Sequence, residues 1–222
     1  MDNKPLIIFN NVYIKQQQNE ILNNINLTIN QGEFVYFVGK TGSGKSSLLK
    51  SIYGDIKVAQ GDISVDGQSL NESRKKHILS LRRKLGIIFQ DFELLMDRTI
   101  EENLKFVMKA TGWKGKKVIQ NKISELLEKV EMSDKAKSYP HLISGGEQQR
   151  IAIARALIND PKIIIADEPT GNLDPDTSKK IMSLIKSISS EEQTIVMATH
   201  DYDIIEQFPG RIIQFQNKSI EE

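Results

Sequence analysis

The sequence predicts an α/β domain: a mostly parallel core sheet, a β-rich N-terminal part and a helical insertion. Three observations lead there. Residues 34–38, Phe-Val-Tyr-Phe-Val, are an unbroken apolar run, as expected of a strand buried on both faces, and lead into a glycine-rich loop and then a helical pattern over 45–53. Residues 163–166 and 194–198 are two further apolar runs with a helical stretch, 177–188, between them. That return of strand, helix and strand is the order of a parallel sheet. Between 91 and 157 the pattern turns helical.

Taken in order, residues 6–9, 25–29, 34–38 and 63–65 are short strand-like runs bounded by turn residues such as Gln31-Gly32 and Asp66-Gly67. Residues 87–89 add a buried strand that ends at Gln90. Ile119, Ile123, Leu126, Leu127 and Val130 recur at helical spacing with Lys and Glu opposite, the stripe of a packed amphipathic helix. Residues 113–117, Trp-Lys-Gly-Lys-Lys, read as a loop within the helical part.

The bulk numbers exclude several classes. At 222 residues the chain suits one large domain, or one with an inserted subdomain. Its 39% hydrophobic and 27% charged residues are ordinary for a globular protein, and a net charge of +1 gives no electrostatic case for nucleic acid as a partner. Zero cysteines exclude disulfides, a thiol nucleophile and a cysteine metal site. No apolar run approaches the ~20 residues of a membrane span, and residues 1–9 lack the pattern of a secretion signal. Any membrane work is expected to need a separate subunit. The basic runs 74–77 and 82–84 read as solvated faces, with contact to acidic lipid headgroups as the other reading.

Gly39-Lys40-Thr41-Gly42-Ser43-Gly44-Lys45-Ser46 fits the phosphate-loop pattern G-x-x-x-x-G-K-[ST], and Ser47 follows it. Glycines let the backbone wrap an anion so that N–H groups and a helix N-terminus face it. Lys45 is expected to reach the β- and γ-phosphates of a nucleotide, and the Ser46 hydroxyl to ligate Mg²⁺. Residues 163–168 end a buried strand in two acids: Asp167 suits Mg²⁺, and Glu168 suits the general base for an attacking water. Ser144 and Glu147 have capping-box spacing for a helix over 148–157. A cap leaves Gly145 and Gly146 unexplained, since glycine in a first turn is unfavourable unless the backbone must approach something. A phosphate at the helix start is one such thing.

These residues together resemble the ATP-binding cassette (ABC) ATPases. Ile143-Ser144-Gly145-Gly146-Glu147 looks like the family signature LSGGQ, with Ile for Leu and Glu for Gln. The resemblance implies a single cassette over 1–222: residues 1–90 and 158–222 form the nucleotide-binding core with an antiparallel β subdomain, and 91–157 form the helical subdomain. It implies ATP and Mg²⁺ as ligands, and a head-to-tail homodimer in which Ser144, Gly145 and Gly146 of one subunit meet the nucleotide held by the other. It makes Gln90 the residue that approaches Mg²⁺ and senses the membrane subunit, His200 the switch beside the γ-phosphate, and Asp174 a residue of the dimer seam. Gln90 also reads as a strand-end polar residue, and Asp174-Pro175 as a helix cap. His77 and His141 read as structural or exposed. The aromatic that stacks on adenine is expected near Gln16 or Gln17. Either Tyr13 is shifted into that place, or apolar contact holds the base.

Within the family, residues 89–99 (Phe-Gln-Asp-Phe-Glu-Leu-Leu-Met-Asp-Arg-Thr) look like the FtsE cell-division branch. The resemblance implies an integral membrane subunit of FtsX type docking near 90–99, and a place on the inner face of the cell membrane, with cell-wall hydrolysis as the regulated process and other division proteins as further partners. ATPases of lipoprotein release or macrolide efflux share the chemistry. A nucleotide-gated scaffold is the reading from another class.

Overall fold

The computed structural model describes residues 4–71, 74–189 and 193–222. Met1, Asp2 and Asn3, where the reading of the N-terminus begins, lie outside them. Strands β1 (Pro5–Gln16), β2 (Asn19–Asn30), β4 (Gln60–Val65) and β5 (Gln68–Ser69) make an antiparallel sheet in the order β2-β1-β4-β5. A second sheet, in the order β10-β9-β3-β8-β7-β6, joins β3 (Phe34–Val38), β6 (Leu85–Ile88), β7 (Ile163–Asp167), β8 (Thr194–Thr199), β9 (Arg211–Gln216) and β10 (Ser219–Glu221). All its pairings are parallel except the β9–β10 hairpin.

Period-two alternation explains how this sheet is buried on both faces. Phe34, Tyr36, Val38, Ile164, Ala166, Ile195 and Met197 pack into one core cluster with the helical segment. Val35, Phe37, Ile163, Ile165, Val196 and Ala198 point the other way, into a cluster with β1, β2, β4 and helix α1 (Lys45–Ile52). Helices α3 (Ile100–Thr111), α4 (Lys116–Lys129) and α5 (Gly145–Ala156) occupy the middle of the chain, and the stripe from Ile119 to Val130 is buried there. Helix α2 (Lys75–Arg82) precedes β6, α6 (Pro175–Ile188) links β7 to β8, and α7 (Tyr202–Gln207) precedes β9.

Several boundaries differ from the sequence reading. Helix α5 begins at Gly145 rather than 148, because Ser144 caps it and the two glycines form its first turn. Lys116 and Lys117 open α4 rather than extend the preceding loop. Strand β6 covers 85–88, leaving Phe89 beyond its end. Arg82 is not simply solvated: it donates to the carbonyls of Tyr53 (2.8 Å) and Gly54 (3.1 Å) at the end of α1. Burial pushes the Tyr53 hydroxyl up to about 12.

Register decides where chemistry can collect. Val38 pairs with Thr199, Asp167 with Ala198 and Ile88 with Ala166, so β3, β6, β7 and β8 all end at one edge of the sheet. The crevice beyond the carboxyl ends of parallel strands is where such folds bind ligands.

Candidate active site

The loop after β3 turns on glycine. Gly39 has φ 155, and a Cβ there would lie 2.7 Å from the Phe215 carbonyl oxygen and 2.9 Å from Ser43 Oγ. Only a residue without a side chain lets β9 come that close. The loop closes with Ser43 N donating to Lys40 O at 3.1 Å, and Gly44, left-handed at φ 104, caps α1. The first N–H groups of α1 are free of intrahelical partners by construction and carry the positive end of its dipole. Lys40, Thr41 and Gly42 are exposed.

Lys45 is 4% exposed; its ammonium donates to the carbonyls of Gly39 (2.7 Å) and Lys40 (3.2 Å) and lies 3.8 Å from Glu168 Oε1. The other oxygen of Glu168 sits 3.0 Å from His200 Nδ1, at the end of β8. Ser46 Oγ donates to Asp167 Oδ1 at 2.9 Å. Burial, followed by the nearby Glu168 charge, outweighs the Ser46 hydrogen bond and raises the Asp167 carboxyl above its ordinary value. A half-buried carboxylate beside a hydroxyl is a hard-oxygen donor pair that fits a divalent cation such as Mg²⁺.

A cleft of about 580 Å³ opens over this cluster, lined by Gln16, Ile21, Thr41, Gly42, Gly44, Lys45, Ser46, Ser47, Gln90, Glu168 and His200. Gly39, Lys40 and Ser43 line a neighbouring groove that also reaches His200. Tyr13 is absent from the cleft's lining; it sits on β1 opposite Gln60. Gln16 lines the cleft, its amide donating to Ser47 Oγ at 3.3 Å. Gln90, just beyond β6, is tied to Asn172: its Nε2 donates to Asn172 Oδ1 at 3.4 Å, and Asn172 Nδ2 donates back to Gln90 O at 3.3 Å.

Ser144, Gly145, Gly146 and Asp174 lie outside the lining of that cleft. At the start of α5, Glu147 folds back to accept from Ser144 N and Ser144 Oγ, both at 2.8 Å. Those bonds hold its carboxyl below the ordinary value. Gly146 has a neighbour inside the chain: a Cβ there would lie 2.5 Å from Thr177 Cγ2 on α6. Asp174 caps α6, accepting from Thr177 N at 3.0 Å.

Three residues entered without a reading of their own. Asn172 ties the loop after β7 to that after β6, Gln149 is buried beneath the loop carrying Glu168, and Arg155 donates to Phe92 O at 2.7 Å and to Glu93 O. A polar residue on the buried side of a helical pattern is the signal for Gln149; the other two depend on long-range contacts.

Comparison with known proteins identifies the family. The ABC transporter family profile matches residues 22–171. The cell division ATP-binding protein FtsE of Streptococcus pneumoniae is 43% identical over 88% of this chain and 85% of its own length. A methionine import ATP-binding protein, MetN of Carboxydothermus hydrogenoformans, is 38% identical over 98% of this chain and 65% of its own. Among solved structures, an ATP-binding cassette in a dimeric post-hydrolysis state bound to ADP and Pi superposes with a TM-score of 0.87 at 35% identity, covering 98% of this chain and 97% of that one. The phosphate loop, the paired acids and this shared architecture make the chain an ATPase of the ABC transporter family.

Proposed function

We propose that the chain is the ATPase subunit of a membrane complex of cell division, with two copies sandwiching two ATP–Mg²⁺ and driving a transmembrane partner of FtsX type. The observation that carries the chemistry is the cluster Lys45, Ser46, Asp167, Glu168 and His200 at the ends of β3, β7 and β8. The likeness to FtsE at 43% identity supports the biology.

In this reading Lys45 and the backbone of 39–47 hold the phosphates, and Ser46 and Asp167, with Gln90 nearby, hold Mg²⁺. The ion, when bound, neutralises charge on the phosphates. Glu168 takes the proton of the attacking water, and His200, on its other oxygen, fixes the carboxylate's orientation. Ser144, Gly145 and Gly146 contact the nucleotide of the second copy, and Asp174 lies at the seam. Adenine rests against Gln16 and Ile21 rather than stacking on Tyr13. ATP favours the closed pair, and loss of the γ-phosphate contacts opens it. Residues 1–90 with 158–222 act as the core, and 91–157 as the helical subdomain.

Docking near 90–99 is supported by Leu95, Met96 and Phe106, large apolar side chains left exposed together with the Arg98 guanidinium 4.5 Å from the Phe106 ring. Among the described residues no helix is long and apolar enough to cross a membrane. The proposed place is therefore peripheral, on the inner face of the cell membrane through the partner. A transporter ATPase is the second reading, favoured by the MetN likeness along 98% of the chain.

The test is capture of Glu168→Gln with ATP from detergent-solubilised native membranes. Co-elution of an FtsX-type subunit with regulators of wall hydrolysis is the expected result. A permease of solute import, lipoprotein release or efflux in its place overturns the division role and leaves the ATPase chemistry standing.

A further inference from the structure

Helix α5 carries a buried polar side chain that the chemistry above does not use. Gln149 is 0% exposed. Its Nε2 donates to the Pro169 carbonyl at 2.7 Å, while its Oε1 is buried without a hydrogen-bond partner among the described residues. As packing alone this is a poor choice, since an apolar side chain of the same length leaves no amide oxygen unmatched. What the amide gains is a grip on the peptide that follows Glu168.

That grip matters because Glu168 is strained. Its φ is 47, a left-handed backbone that residues with a β-carbon rarely adopt. A proline follows it, which narrows its choices further. Backbone of this kind persists where its surroundings over-determine it. Three contacts do so: Glu168 N donates to Ala198 O at 3.0 Å, Gly171 N donates to Glu168 O at 3.1 Å, and Gln149 holds Pro169 O. The first two are backbone bonds that the loop and sheet form with themselves. The third arrives from α5, the helix that Ser144 caps.

We propose that Gln149 is a positioning residue for ATP hydrolysis: reaching from the helix that Ser144 opens, it fixes the peptide after Glu168 and thereby aims the Glu168 carboxylate. The proposal rests on the reading of Glu168 as the general base. It also connects the two halves of a composite site within one subunit, because the helix presenting Ser144 to one nucleotide steadies the base that serves the other.

Gln149→Met keeps the length of the side chain and removes the donor. Misplacing a catalytic group by about 1 Å lowers turnover on the order of 100-fold, so kcat is expected to fall between about 10- and 100-fold. ATP affinity of the monomer stays at the wild-type value, and an ATP-bound dimer accumulates on gel filtration, as it does for Glu168→Gln. Added to Glu168→Gln, the substitution causes no further loss, because both act through one group. Wild-type kcat, failure of ATP to gather the dimer, or an additive loss in the double variant each overturn the proposal; the second is what a merely structural support of α5 would give. Gln149→Leu replaces it, with the same expectations, if thermal melting shows the Met variant unfolded. Wild-type turnover by Glu168→Gln alone would remove the base reading itself, whereas an inactive Glu168→Gln beside a fully active Gln149→Met removes only the positioning role.

Discussion

Lys45 shows at the scale of one residue how the site depends on exact partners. A buried ammonium with two carbonyl acceptors and a carboxylate at 3.8 Å is held in place before any phosphate arrives. Lys45→Ala removes the charge that a triphosphate would meet, so nucleotide binding is expected to be lost, read by titration with a fluorescent ATP analogue. Unchanged affinity would remove the phosphate-loop assignment. Glu147 makes a prediction about pH. Its carboxyl is held low by the Ser144 bonds, so the folded chain binds that proton more weakly than the unfolded one. The resulting stabilisation, roughly 0.5–1 kcal/mol after allowing for its exposure, is full above the unfolded glutamate value and fades as pH falls through the lower folded one. The stability gap between the wild type and Glu147→Ala, measured by urea unfolding, is expected to close in acid; a gap constant with pH would mean the carboxylate charge is irrelevant. Lys45, Ser46, Asp167 and Glu168 were legible because local patterns place them: a loop between strand and helix, and acids at a strand end. Asn172 and Arg155 were not, because their roles depend on partners 82 and 63 positions away.

Among the elements, α5 is where sequence and structure differ most usefully. The capping box is present as its spacing implies, yet the helix starts three residues early and Gly146 meets Thr177 on α6. Ligand approach is thus not the sole reason for a glycine there. Gly146→Ala puts a methyl 2.5 Å from Thr177 Cγ2 and pushes two helices apart, with an expected loss of about 1–3 kcal/mol. Thr177→Ser removes the opposing methyl, so the double variant is expected to regain most of that stability on thermal unfolding. No recovery would mean that the cost lies elsewhere than in this contact. Strands were legible where apolar runs are unbroken, as in β3, β7 and β8. Strand β1 is longer than the run at 6–9 because a bulge at Asn11, with φ 48, breaks the alternation and hides the continuation to Gln16. The hairpin β9–β10 lies at the edge of the sheet, where partial exposure blurs the pattern.

Across the whole molecule, the phosphate loop and the Ser144 helix start serve different places: one lines the cleft over Lys45, and the other does not. The proposed head-to-tail pair would resolve this, since its two-fold symmetry would bring each helix start to the other copy's loop. The arrangement makes a prediction that no single-site enzyme shares. Lys45→Ala disables a loop and spares the helix start; Ser144→Arg disables the helix start and spares the loop. Each variant alone is expected to lack turnover, Ser144→Arg while still binding ATP as a monomer. Mixed, they form pairs in which one loop and one helix start, from different copies, are both intact. With random pairing at equal concentrations, half of the pairs are mixed and each has one sound site, so about a quarter of wild-type activity returns if the sites fire independently. The measurement is phosphate release across mixing ratios, with the peak expected at equal amounts. Flat, near-zero release at every ratio would exclude sites that are shared between copies and fire one at a time. Substantial activity of Ser144→Arg alone would show that each chain completes its own site.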